Sequence, residues 1–100
     1  MEIEIREEDG VVILKPGEEI HFDNYREVEE KLNTLVQQGK TNIMVDMQNV
    51  SHLYSMTLGM FNRIAQNLAE RGGRFFLSNI SSGVRKILKA TRLDKIIELR

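Results

Sequence analysis

The chain has 100 residues, no cysteine and a formal net charge of −1, with 41% hydrophobic and 29% charged residues. That length makes one domain, residues 1–100, with a single core and no spare volume for a large enclosed cofactor site. The composition is globular, and the missing cysteine excludes disulfides, thiol catalysis and cysteine-ligated metal centres.

The start, Met1-Glu2-Ile3-Glu4, is acidic and lacks the apolar region of a signal peptide. No apolar run approaches the ~20 residues of a membrane span. With no cysteine either, a cytoplasmic protein without membrane contact is expected. Ile3 and Ile5 alternate with charges as in a half-buried strand, and Glu8-Asp9-Gly10 reads as a turn. The apolar run Val11-Val12-Ile13-Leu14, closed by Pro16-Gly17, is the second arm of a hairpin.

A helix follows, with Asp23 or Asn24 as its cap. Tyr25, Val28, Leu32, Leu35 and Val36 share one face at the 3.6 period, and Gly39 is its stop. Ile43, Val45 and Met47 alternate along a third strand, and Met44 and Met47 are expected in the core. Residues 48–56 are polar and irregular. A second helix is expected from near Thr57, with Phe61, Ile64, Ala65 and Leu68 as its stripe and Gly72-Gly73 as its end. Phe75-Phe76-Leu77 is a fourth strand. Ser81 or Ser82 caps a third helix carrying Val84, Ile87 and Leu88, and Ile96-Ile97 reads as a final strand. The order β-β-α-β-α-β-α-β predicts an α/β domain with a mixed, mostly parallel sheet and an N-terminal hairpin.

Charge is unevenly spread. Residues 1–30 carry eleven acidic and three basic side chains, and residues 71–100 carry two acidic and eight basic. Either the two ends fold against one another and partly neutralise, or they form a two-signed surface that orients a partner. The first is the expectation.

Several motifs lead nowhere. Gly39-Lys40-Thr41 lacks the upstream glycine of a phosphate-binding loop and closes a helix instead of opening one. His21 and His52 have no second histidine and no carboxylate four residues on at metal-ligand spacing, so no metal is expected. Asp46, His52 and Ser55 are the residue types of a nucleophilic triad, but no G-x-S-x-G elbow surrounds Ser55. His52 is therefore read as a loop histidine. Arg85, Lys86, Lys89 and Arg92 lie on or beside the third helix without interleaved aromatics, so they read as a solvated face and not as a nucleic-acid site.

The stretch Tyr54-Ser55-Met56-Thr57-Leu58-Gly59 leaves a loop and opens a helix. Ser55 and Thr57 are ordinary capping types. A helix N-terminus also tolerates a phosphate, which adds about −1.5 to −2 charges at pH 7. With the hairpin, the helix ending in Gly39, the strand Asn42-Ile43-Met44-Val45-Asp46-Met47, the helix ending Glu70-Arg71-Gly72-Gly73 and the tail from Asn79 to Ile97, the chain resembles a STAS domain of the bacterial anti-sigma-factor antagonist type. The resemblance implies a binding module and kinase substrate, not an enzyme, that needs no cofactor. Its implied partner is an anti-sigma factor that is also a serine kinase of the histidine-kinase-like ATPase fold, with a phosphatase to reverse the mark.

The family's switch motif usually reads Asp-Ser-Ser/Thr-Gly-Leu-Gly. Ser55 then stands at the phosphoacceptor position, with Thr57 as a second candidate. Tyr54, Ser55, Met56, Thr57, Leu58 and Met60 are the implied partner-binding residues. Tyr54, Met56 and Thr57 depart from the motif, which leaves a phosphorylation-independent scaffold or ligand-sensing module as the alternative.

Overall fold

The computed structural model describes residues 1–100. Strands β1 (Ile3–Glu8) and β2 (Val11–Pro16) pair antiparallel through Asp9 and Gly10, both at positive φ. Positive φ at both central residues is what the tight two-residue hairpin turn demands, and Asp-Gly supplies it at little steric cost. Helix α1 (Tyr25–Gln37) leads to β3 (Asn42–Asp46), α2 (Ser55–Glu70) to β4 (Arg74–Ser78), and α3 (Ser82–Ala90) to a short β5 (Glu98–Leu99). The strands lie in the order β1-β2-β3-β4-β5, parallel from β2 onward.

Each parallel step moves the same way across the sheet, so right-handed crossovers put all three helices on one face. Strand alternation then divides the side chains. Leu14, Val45 and Leu77 stand in one row and share a single 22-residue core with Val28, Leu32, Phe61, Leu68, Val84 and Leu88 from the helices. Ile13, Met44 and Phe76 form the neighbouring row on the helix-free face, where the Arg74 and Arg100 guanidiniums lie over the Phe76 ring at 5.1 and 4.4 Å. Met44 is thus half-buried on the open face instead of in the core, while Met47 is in the core. No helix is long and apolar enough to cross a membrane.

Three further expectations need correction. Ile96-Ile97 is not a strand: both N–H groups bond the Leu93 carbonyl in a 3-10 turn (Leu93–Lys95), and the pairing residues are Glu98 and Leu99. The apolar pair imitated a strand because Ile97 is buried from the turn. Asn24 stands at the start of α1, but its side chain does not cap the helix. It turns back into the preceding loop, accepting from His21 N–H and donating to Glu18 Oε1 and the Glu19 carbonyl. The two charged ends do not fold together either. β1 and β5 are the opposite edges of the sheet, and no ion pair joins residues 1–30 to residues 71–100.

Candidate functional site

Parallel strands deliver their outgoing loops to one end of the sheet, where binding sites of open α/β folds gather. Here the loops after β2, β3 and β4 meet at that end and are tied by side chains. Asp46, buried at the end of β3, accepts from Gln48 N–H at 3.0 Å and from the Asn79 side-chain amide at 2.9 Å. Val50 and Leu53 are buried and anchor the loop from β3 to the core.

A second tie crosses from the β2–α1 loop. The Glu19 carboxylate accepts from Ser51 N–H at 2.8 Å, from the Ser51 hydroxyl and from His52 N–H at 3.3 Å. Burial pushes the Glu19 carboxyl up, but the Ser51 and His52 bonds outweigh it and hold it below the ordinary carboxylate range. A depressed folded-state pKa contributes stability above the unfolded carboxylate range, and that stability is lost as pH falls through it. Glu19→Gln is therefore expected to melt less steeply with acid than wild type between pH 7 and pH 3. Parallel acid slopes in thermal melts would remove Glu19 from the list of stabilising groups.

Past this tie the chain presents Tyr54, 46% exposed and stacked on His52 with ring centroids 6.2 Å apart. Ser55 follows, exposed, as the first residue of the 16-residue helix α2, two residues earlier than expected. No side chain caps α2: Tyr54 holds the capping position without a side-chain bond, so neither Ser55 nor Thr57 is the cap. The Tyr54 carbonyl accepts from Thr57 and Leu58 N–H, leaving the Ser55 and Met56 N–H groups outside the helical ladder. The first turn of α2 contains no acidic residue. The site is thus an exposed hydroxyl at an uncapped, partially positive helix end.

Of the six residues read as partner-binding, Tyr54 and Ser55 are exposed, and Met56 and Leu58 are half-buried. Thr57 and Met60 are fully buried, which corrects both roles. At the third and sixth positions of α2 they face the core, so Thr57 offers no accessible acceptor and Met60 no docking contact. The Thr57 hydroxyl has no hydrogen-bond partner. An orphaned buried hydroxyl costs about 1–3 kcal/mol, so Thr57→Val, which keeps the shape, is expected to stabilise by about 1 kcal/mol. That is a rise of roughly 4–8 °C in Tm for a domain this size. An unchanged or lower Tm would mean that the hydroxyl finds a partner.

The triad residues do not assemble. Asp46 is engaged with Gln48 and Asn79, and the His52 Nδ1 lies 2.9 Å from Ser51 Oγ and 3.8 Å from Glu19. Sequence reasoning missed Glu19 and Ser51, whose contact spans 32 positions and carries no local signature. It also passed over Phe22, the most exposed large apolar side chain, although a phenyl ring between His21 and Asp23 in a polar turn is a readable anomaly.

A model of the STAS domain family matches residues 2–100. A Thermotoga maritima protein described as an anti-sigma factor antagonist is 27% identical over 92 residues, 91% of this chain and 81% of the relative. The anti-sigma-B factor antagonist of Staphylococcus aureus is 25% identical over 99% of this chain and 92% of its own length. Among solved structures, the crystal structure of a Thermotoga maritima protein described as an anti-sigma factor antagonist superposes with a TM-score of 0.90 at 26% identity, covering 97% of this chain and 84% of that one. Unphosphorylated SpoIIAA, also described as an anti-sigma factor antagonist, superposes at 0.81 with 21% identity over 99% and 88%, and shares the fold.

Proposed function

The chain belongs to the STAS domain family, and we propose that within it the protein is an anti-sigma-factor antagonist that docks a kinase-type anti-sigma factor through the surface at Ser55. The observation that carries the reading is the position of Ser55, an exposed hydroxyl opening an uncapped helix on a surface shared with Tyr54, Met56 and Leu58. The names of the relatives support the general role.

In this reading the unmodified surface binds the anti-sigma factor, and the sigma factor is set free. Phosphorylation transfers the γ-phosphoryl group of ATP to Ser55 Oγ. The new O–P bond forms, ADP leaves and the hydroxyl proton is lost. The added charge of about −1.5 to −2 suits the protein's own helix end but must be desolvated or repelled at the interface. A phosphatase reverses the step.

The test uses purified histidine-kinase-like ATPases of the source organism that hold sigma factors. Adding the protein to such an ATPase–sigma complex is expected to displace the sigma factor, read by size-exclusion chromatography and run-off transcription. If every such complex stays intact at saturating protein, the antagonist reading is wrong.

A further inference from the structure

Phe22 is 75% exposed, on a backbone that is fastened at both sides. It occupies the turn His21–Asn24, in which Asn24 N–H and Tyr25 N–H bond the His21 carbonyl at 3.1 and 3.0 Å. The buried Asn24 side chain braces that turn with three bonds to His21, Glu18 and Glu19. Single exposed apolar residues are normal on protein surfaces and by themselves mean nothing. Three further observations give this one a meaning. The turn is fastened to the Ser55 loop through Glu19, whose carboxylate holds Ser51 and His52. That loop carries the second exposed aromatic, Tyr54. The neighbouring Asp23 is exposed and makes no ion pair, and Glu18 is exposed beside it.

We infer that Phe22 is the aromatic anchor of the docking surface, inserting its ring into an apolar pocket of the anti-sigma factor whose rim carries basic side chains opposite Asp23 and Glu18. The inference rests on the reading of the Ser55 surface as the docking site and extends that surface across the Glu19 tie to a second loop. A turn whose backbone is already fixed loses little backbone freedom on docking, and a phenyl ring has only two rotatable side-chain bonds to order. The turn's acidity excludes an acidic pocket and selects a basic one.

The test titrates wild type, Phe22→Ala, Phe22→Leu and Ile5→Ala against each purified sigma-holding ATPase of the source organism by calorimetry. Ile5 is also exposed but lies on the β1 edge strand, so it controls for general loss of apolar surface. Phe22→Ala is expected to bind at least about 30-fold more weakly, the range of a hot spot. Phe22→Leu should fall between, Ile5→Ala should bind as wild type, and all four should melt alike. Binding of Phe22→Ala within threefold of wild type, or equal losses for Phe22→Ala and Ile5→Ala, overturns the inference and leaves the Ser55 reading intact. Failure of wild type to bind any of the ATPases overturns both.

Discussion

Ser55→Asp is expected to weaken capture of the anti-sigma factor by at least about 100-fold while leaving the domain as stable as wild type or slightly more so. The two halves of that result have one cause. At the first position of α2, a carboxylate meets the unladdered N–H groups of Ser55 and Met56 and the positive helix end, an arrangement worth about 0.3–1 kcal/mol. No acidic side chain stands in the first turn to repel it. At the interface the same charge must lose its water or face an unfavourable field, and like-charge or unpaired placements there cost several kcal/mol. A 100-fold loss is about 2.8 kcal/mol at 1.4 kcal/mol per tenfold. Calorimetry gives the affinity and thermal melting gives the stability, so loss of binding through misfolding is separated from loss through charge. Ser55→Ala, which removes an exposed hydroxyl, should bind as wild type. Equal affinities for Ser55→Asp and wild type would detach the switch from Ser55 and favour a scaffold that needs no phosphorylation.

The second large effect lies far from the site. Gly73→Ala is expected to destabilise the fold by about 3 kcal/mol or more, the upper range for forcing an extra methyl into a packed position. A Cβ at Gly73 would lie 3.0 Å from the Thr41 carbonyl carbon and 3.1 Å from its Cα, and closer still to the carbonyl oxygen. Those are backbone atoms, so no side chain can swing aside. Relief requires β4 to draw away from the entry to β3, where Arg74 N–H bonds the Thr41 carbonyl at 2.8 Å. Gly59 makes the contrast. Inside α2, its Cβ would meet only the Arg63 guanidinium at 3.4 Å, and alanine there gains up to about 1 kcal/mol of helix propensity. Urea unfolding of the two variants should therefore shift in opposite directions. A Gly73→Ala variant within about 1 kcal/mol of wild type would show that the β3–β4 entry yields more readily than packed backbone does.

The elements carried by local periodicity were legible without coordinates. Val28, Leu32, Leu35 and Val36 repeat at the helical period and are all buried. Asp9-Gly10 announces the hairpin that Glu8 and Val11 close. What escaped depends on partners distant in the chain. Asn24 has the right type for a cap, but its three bonds lead backward into a loop whose course only the fold determines. Thr57 looks like an acceptor from its neighbours in sequence, yet the pitch of α2 turns it to the core. The placement of Ser55 at a helix start was legible because its environment, a loop meeting a helix, is local. The role of Glu19 was not, because it comes from the adjacency of two loops that belong to different crossovers, and Phe22 was legible only as an oddity of its turn.

The separation of the acidic and basic ends to opposite edges of the sheet has a consequence for encounter. A body of extents 31 × 29 × 22 Å whose charges nearly cancel in sum carries them as two poles. Its sequence pI of about 6.1 describes neither edge. Such a molecule experiences a torque in the field of a charged neighbour. The screening length at physiological salt is about 8 Å, shorter than the distance from edge to edge, so an approaching protein senses one pole at a time. A charged neighbour therefore meets an acidic edge or a basic edge, and never the near-neutral sum of the two.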